Sequence, residues 1–123
     1  MLLTDFYTLD SLTQTDAQKY VAKIHLNKDN DIFKGHFPDN PVTPGVCMMQ
    51  IIKEIAEQIV SQTLFMEQSS NVKFMAIINP EINPDLILDI DIKGDVDTGY
   101  QVKNTSRFGE TVALKLSLNF KCV

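Results

Sequence analysis

The chain has 123 residues, 44% of them hydrophobic and 22% charged, with a formal net charge of −5. This is the length and composition of one ordinary globular domain, so a single domain over 1–123 with its own core is expected. The acidic balance gives no electrostatic reason for binding nucleic acid or an anionic membrane, and no apolar run reaches the length of a membrane span.

The opening residues, Met1-Leu2-Leu3-Thr4-Asp5, carry neither the basic start nor the long apolar stretch of a secretion signal. In chain order, the first clear element is a strand. Tyr20, Ala22, Ile24 and Leu26 alternate with polar residues, the period of a half-buried β-strand. His25 falls on its polar face and is expected to meet solvent.

Next comes Gly35-His36-Phe37-Pro38-Asp39-Asn40-Pro41-Val42-Thr43-Pro44-Gly45-Val46. It places one of the chain's two histidines on a turn stiffened by three prolines, each fixing φ near about −65°. The turn delivers Pro44-Gly45 to the start of an apolar helix, where backbone N–H groups lack intrahelical partners and negative charge is favoured. The helix is predicted from about Pro44 to Leu64. Met48, Ile51, Ile52, Ile55 and Ile59 cover most of its circumference, with Gln50, Glu54, Glu57 and Ser61 on the remaining stripe. That stripe is open to a plain reading as a solvated face, with Lys53 and Glu57 as an i, i+4 pair.

Four further strands follow. Val72, Phe74, Ala76 and Ile78 give one, and Leu86, Leu88, Ile90 and Ile92 another. Tyr100 to Phe108 is a more polar third. Val112, Leu114, Leu116, Leu118, Phe120 and Cys122 form the last. A helix so apolar needs wrapping on most sides, and a twisted antiparallel sheet curled around it meets that need. Asp89, Asp91, Asp95 and Asp97 have no calcium-loop spacing and are read as the wet face of the sheet. Cys47 and Cys122 have neither CxxC nor metal spacing, so free thiols in a reducing cytoplasm are expected. No metal site, phosphate loop or dinucleotide fingerprint is present.

Strands, a His-Phe-Pro-x-x-Pro-x-x-Pro-Gly turn, one central helix and a run of strands together resemble the hotdog fold. This is an α+β architecture whose antiparallel sheet, here of about five or six strands, wraps one long helix. More narrowly, the chain resembles the bacterial β-hydroxyacyl-acyl-carrier-protein dehydratases. His36 to Val46 holds every proline and glycine of that family's turn. Val72-Lys73-Phe74, Pro80 and Pro84-Asp85 are similar to the family's Ala-Arg-Phe strand and its Pro-Gly-Asp turn.

The resemblance implies that His36 removes the C2 proton of a 3-hydroxyacyl thioester while the Val42 carbonyl holds its ring. It implies that the Gly45 N–H donates to the thioester oxygen. The acyl chain would lie beside Phe37, Pro44, Val46, Met48 and Met49. No cofactor is needed. The implied partners are an acidic acyl carrier protein, for which Lys34, Lys73, Lys103 and Arg107 are docking candidates, and a second copy in a homodimer or higher homo-oligomer. A hetero-oligomer with another hotdog protein is the alternative.

One residue departs from the family pattern. The carboxylate that the family places fourteen residues after the histidine is Gln50 here, and Glu54 stands where many members carry glutamine. An amide cannot exchange a proton at neutral pH, and acid–base assistance is typically worth ~10²–10⁴-fold. The two positions share a helix face about 5–6 Å apart. Glu54 is therefore expected to supply the acid while Gln50 positions the substrate hydroxyl. Two other functions remain open. One is a thioesterase in which Glu54 or Glu57 activates water. The other is a non-catalytic subunit that binds acyl carrier protein or borrows a carboxylate from a related hotdog chain.

Overall fold

A computed structural model describes residues 5–35 and 41–123. The elements run β1 (Tyr7–Asp16), β2 (Lys19–Leu26), α1 (Asp31–Gly35), α2 (Gly45–Val60), β3 (Leu64–Phe74), β4 (Asp85–Asp95), β5 (Gly99–Phe108) and β6 (Thr111–Cys122). The six strands form one sheet in the order β1-β2-β4-β5-β6-β3. Every neighbouring pair is antiparallel.

The apolar sets read from the sequence explain this layering. Ala22, Ile24 and Leu26 of β2 are buried together with Leu86, Leu88, Ile90 and Ile92 of β4. On β6, Leu114, Leu116, Leu118 and Phe120 are buried likewise. Against this face lies α2, whose Cys47, Met48, Ile51, Ile52, Ile55 and Ala56 are all buried. β5 is more polar at its buried positions: Asn104 donates to the Ser106 hydroxyl at 2.7 Å, both beneath the surface, between Val102 and the flanking apolar strands.

Three expectations are corrected. The helix ends at Val60, because Ser61 takes a left-handed conformation (φ 55°, ψ 41°) and closes the last turn. Leu64 therefore opens a strand, and Glu57 turns its carboxylate to the Leu64 N–H at 2.9 Å instead of pairing with Lys53. The following strand covers Leu64–Phe74, with Ala76 and Ile78 beyond its end. β3 is an edge strand, its register broken between Ser70 and Lys73, and its Val72 and Phe74 are exposed rather than core-facing. The third correction is an extra strand, β1, which the sequence reading did not mark.

Two details fix the approach to the helix. Phe6 and Phe33 are fully buried and stack with ring centroids 4.7 Å apart, anchoring α1 to the start of β1. After residues 36–40, the Thr43 N–H donates to the Ile78 carbonyl at 2.9 Å, so the segment entering α2 is tied to the chain following β3. The helix depends on packing more than on caps, since Pro44 at its N-cap makes no side-chain cap bond. Ile55→Ala, at a fully buried position, is expected to cost about 2–5 kcal/mol in urea unfolding without changing the fold.

Candidate active site

Helix α2 organises two clusters of polar groups. At its N-terminus, the first intrahelical bonds run from the Cys47 and Met48 N–H groups to the Pro44 carbonyl, at 3.0 and 3.2 Å. The Gly45 N–H precedes them and has no intrahelical acceptor. It opens on a cavity of about 440 Å³ lined by Val42, Pro44, Phe74, Met75, Ile77 and Ile78 among others. The walls are mostly apolar, and a donor at a helix N-terminus is directed to where negative charge is best stabilised. Glycine fits there by close approach: a Cβ at position 45 would stand 3.1 Å from the Phe74 ring, which would have to shift by a few tenths of an ångström. Thr43, buried beside this cavity, leaves its hydroxyl without a hydrogen-bond partner.

The second cluster lies along the helix. Glu54 accepts from Gln50 Nε2 at 3.0 Å through one carboxylate oxygen and from the Tyr7 phenol at 2.9 Å through the other. The solvated-stripe reading therefore fails for both helix residues, which are half-buried and bonded to each other and to β1. Burial is the first cause that pushes the Tyr7 phenol well above its ordinary pKa, followed by the Glu54 charge and the hydrogen bond to it.

The two clusters are kept apart. Gly45 packs against Phe74 of β3, whereas Glu54 is bonded to Tyr7 of β1, and these strands are the two ends of the sheet. Nine residues of helix separate them by about 180° in rotation and roughly 13 Å along the axis. A single chain does not bring Glu54 to the Gly45 N–H.

The remaining sequence candidates are placed as follows. His36 and Phe37 lie outside the described residues. Val42 and Pro44 line the cavity at Gly45. Val46 is 66% exposed, Met49 is half-buried, and Met48 is fully buried in the core and does not line the cavity at Gly45. His25 is half-exposed, its Nδ1 2.7 Å from Asp85 Oδ1, as a surface pair. Among the docking candidates, Lys34 lies 3.8 Å from Asp31 and Arg107 3.2 Å from Asp89, while Lys73 and Lys103 are exposed. Asp95 caps its own turn, accepting from the Asp97 and Thr98 N–H groups and the Thr98 hydroxyl. Cys47 and Cys122 are both free thiols, and burial raises the Cys47 pKa. Sequence reading missed Tyr7 entirely, because the partner that gives it meaning is 47 residues away.

Residues 12–113 match the ApeI-like family, described as ApeI dehydratase. The chain belongs to that family. Among characterised sequences it is similar to the 3-hydroxyacyl-[acyl-carrier-protein] dehydratase FabZ of Levilactobacillus brevis, 28% identical over 91% of this chain and 78% of that one. It is also similar to FabZ of Rickettsia akari, 33% identical over 60% of this chain; that match spans 52% of the Rickettsia protein. Among solved structures, it resembles the dehydratase heterocomplex ApeI:P from Xenorhabdus doucetiae, with TM-score 0.72 at 20% identity, covering 94% of this chain and 97% of that one. A hypothetical thioesterase with coenzyme A from Streptococcus pneumoniae is similar in fold, with TM-score 0.66 at 12% identity over 95% of this chain and 85% of that one. The architecture is the hotdog fold that these proteins share. No helix among the described residues is long and apolar enough to cross a membrane.

The Tyr7–Glu54 bond has a direct optical test. In an alkaline titration followed by tyrosinate absorbance, Glu54→Gln is expected to lower the Tyr7 transition by the share that the Glu54 charge and hydrogen bond contribute, leaving the larger share that burial causes. An unmoved titration would mean that the carboxylate does not face the phenol.

Proposed function

We propose that the protein is a cytoplasmic dehydratase acting on a (3R)-hydroxyacyl thioester of acyl carrier protein, giving the trans-2-enoyl thioester. The observation that carries this reading is Gly45 at the helix N-terminus, its N–H without an intrahelical acceptor, lining an apolar cavity nine residues after His36 in the sequence. A thioester carbonyl placed there gains a donor as charge develops on its oxygen. His36 takes the C2 proton, the C2–H electron pair becomes the C2=C3 double bond, and the C3–O bond breaks. The hydroxyl leaves as water with a proton from Glu54, which rests as the carboxylate and must take up that proton before the C3–O bond breaks, while Gln50 holds the hydroxyl in place. The acyl chain extends along the apolar wall. Lys73 and Lys103, exposed and without an ion pair among the described residues, suit an acidic carrier protein better than Lys34 and Arg107, which already face carboxylates.

The separation of Gly45 from Glu54 within one chain favours a site completed by a second copy. The outer edge of β3 has no strand beside it, and Phe65, Phe74, Met75 and Ile77 are exposed along and after it, with Val46 nearby. Exposed apolar residues on an open strand edge suit pairing with another chain. A homodimer joined there brings the cavity of one copy toward the helix of the other. A hetero-oligomeric assembly is the second reading, favoured by Gln50 at the family's carboxylate position and by the similar structure being that of a dehydratase heterocomplex.

Incubation with short and long 3-hydroxyacyl carrier-protein substrates, following enoyl absorbance and free thiol together, tests the reaction. Enoyl product without thiol is expected, and thiol release alone would move the protein to the thioesterases. His36→Ala is expected to lower kcat/KM by about 10²–10⁴-fold. Ile77→Lys is expected to shift sedimentation from dimer to monomer and to remove turnover with it; an active monomer would refute the shared site.

A further inference from the structure

We propose that Tyr7 is a positioning residue of this site: its phenol holds Glu54, and Glu54 in turn sets the side-chain amide of Gln50 toward the substrate. The inference rests on the dehydratase reading and deepens it, because it adds a third residue that belongs to neither the turn nor the helix.

The argument starts from hydrogen-bond inventories. An ionised carboxylate only accepts, whereas a side-chain amide both donates and accepts. Glu54 Oε2 lies 3.0 Å from Gln50 Nε2, so the NH₂ end of the amide faces the carboxylate. The amide carbonyl is then turned the other way, as an acceptor for the O–H of a substrate hydroxyl. Terminal amide torsions are broad and roughly two-fold, so Gln50 on its own has little reason to prefer this face over its flipped one.

Glu54 supplies that preference only if it is itself fixed. On a helix surface its side chain has several rotatable bonds, and the bond to Gln50 alone leaves one oxygen free to swing toward water. The Tyr7 phenol removes this freedom by donating to Oε1 at 2.9 Å. Tyr7 is well suited to it. The side chain is half-buried, has few torsions, and projects from β1 where the backbone is paired with Leu26 of β2. The Tyr7–Glu54–Gln50 chain thus transfers the rigidity of the sheet to an amide on the helix. Catalysis gains from such fixing because small misplacements of a positioned group cost large factors in rate.

A purely structural role for Tyr7, tying β1 to α2, makes different predictions. The test uses the full chain and a 3-hydroxyacyl thioester of acyl carrier protein, with ¹⁵N-resolved resonances of the Gln50 side-chain amide as a second readout. Tyr7→Phe keeps the ring and is expected to fold. It should lower kcat by about ten- to a hundredfold. KM should change by less than about twofold, as expected when ground-state binding is retained. The Gln50 NH₂ resonances should shift in the same variant. Glu54→Gln should produce the same resonance change, and the double variant should be little worse than Glu54→Gln alone, because Tyr7 acts through Glu54. An unchanged kcat with a lowered melting temperature overturns the proposal and leaves a structural tie. Gln50 resonances indifferent to Tyr7→Phe overturn it whether or not the protein turns over. A wild-type protein that dehydrates no substrate, yet whose Gln50 resonances respond to Tyr7→Phe, overturns the dehydratase reading and the catalytic role while retaining the hydrogen-bonded chain itself.

Discussion

The enclosure of α2 is the constraint on which the rest of this molecule depends. Met48, Ile51, Ile52, Ile55 and Ala56 are shielded from water completely, on a helix of 16 residues. A helix buried over so much of its circumference cannot lean on a flat layer. It needs a sheet that curls, and six antiparallel strands with the usual right-handed twist supply the curl. Once the sheet wraps, its two end strands are brought beside the helix on opposite flanks. β3 then meets the helix N-terminus through Phe74, and β1 meets the third helical turn through Tyr7. The polar chemistry of the protein is what remains in the places where wrapping stops.

Much of this was legible in the sequence, and the exceptions have physical causes. β2 and β4 bury one face much more deeply than the other, so the period-2 pattern reports them faithfully. β6 keeps the pattern in its apolar residues, although Ala113 and Ser117 are buried on its second face as well. β5 was readable in outline, although its buried Asn104 and Ser106, joined by one hydrogen bond, dilute the apolar signal. β1 was invisible because it is an edge strand whose residues are mostly exposed. Its Leu9 and Leu12 fall out of alternation at a register shift between Leu9 and Ser11. β3 misled for the complementary reason. The alternating residues at its end, Val72 and Phe74, are exposed, and the true strand begins earlier, at Leu64, and runs through the polar stretch from Glu67 to Asn71. The helix terminus was overrun because apolar spacing continues to Leu64, while the backbone stops at Ser61 in a conformation that spacing does not encode.

The site divides in the same way. Local chemistry was readable: a stiff turn, a glycine at a helix start and a pair of polar residues four apart. The sequence also shows that Gln50 and Glu54 are exchanged relative to the family it resembles. What no local reading supplies is the direction in which each side chain faces. Gly45 looks toward β3 and Glu54 toward β1, and that division follows from the sheet order alone. An amide in place of a carboxylate is therefore less a missing part than a change of partner: the charge is one turn further on, bonded to the amide on one side and to a phenol on the other.

The strand order also has a kinetic consequence. β2 pairs with β4 across 60 residues, His25 lying opposite Asp85, and the whole of α2 and β3 intervenes between them. β3 must likewise wait for β6 at the end of the chain before it gains a neighbour. During synthesis, the β1–β2 hairpin and the apolar helix emerge long before the strands that cover them. Ala22, Ile24 and Leu26 stay uncovered on one side for that interval, beside a helix with the same need. Pairings at such long sequence separation are slow to form, on the ms–s scale typical of sheet-dominated domains. Contact between the hairpin and the bare helix is the natural holding arrangement, with sheet closure by β4, β5 and β6 as the last step of folding.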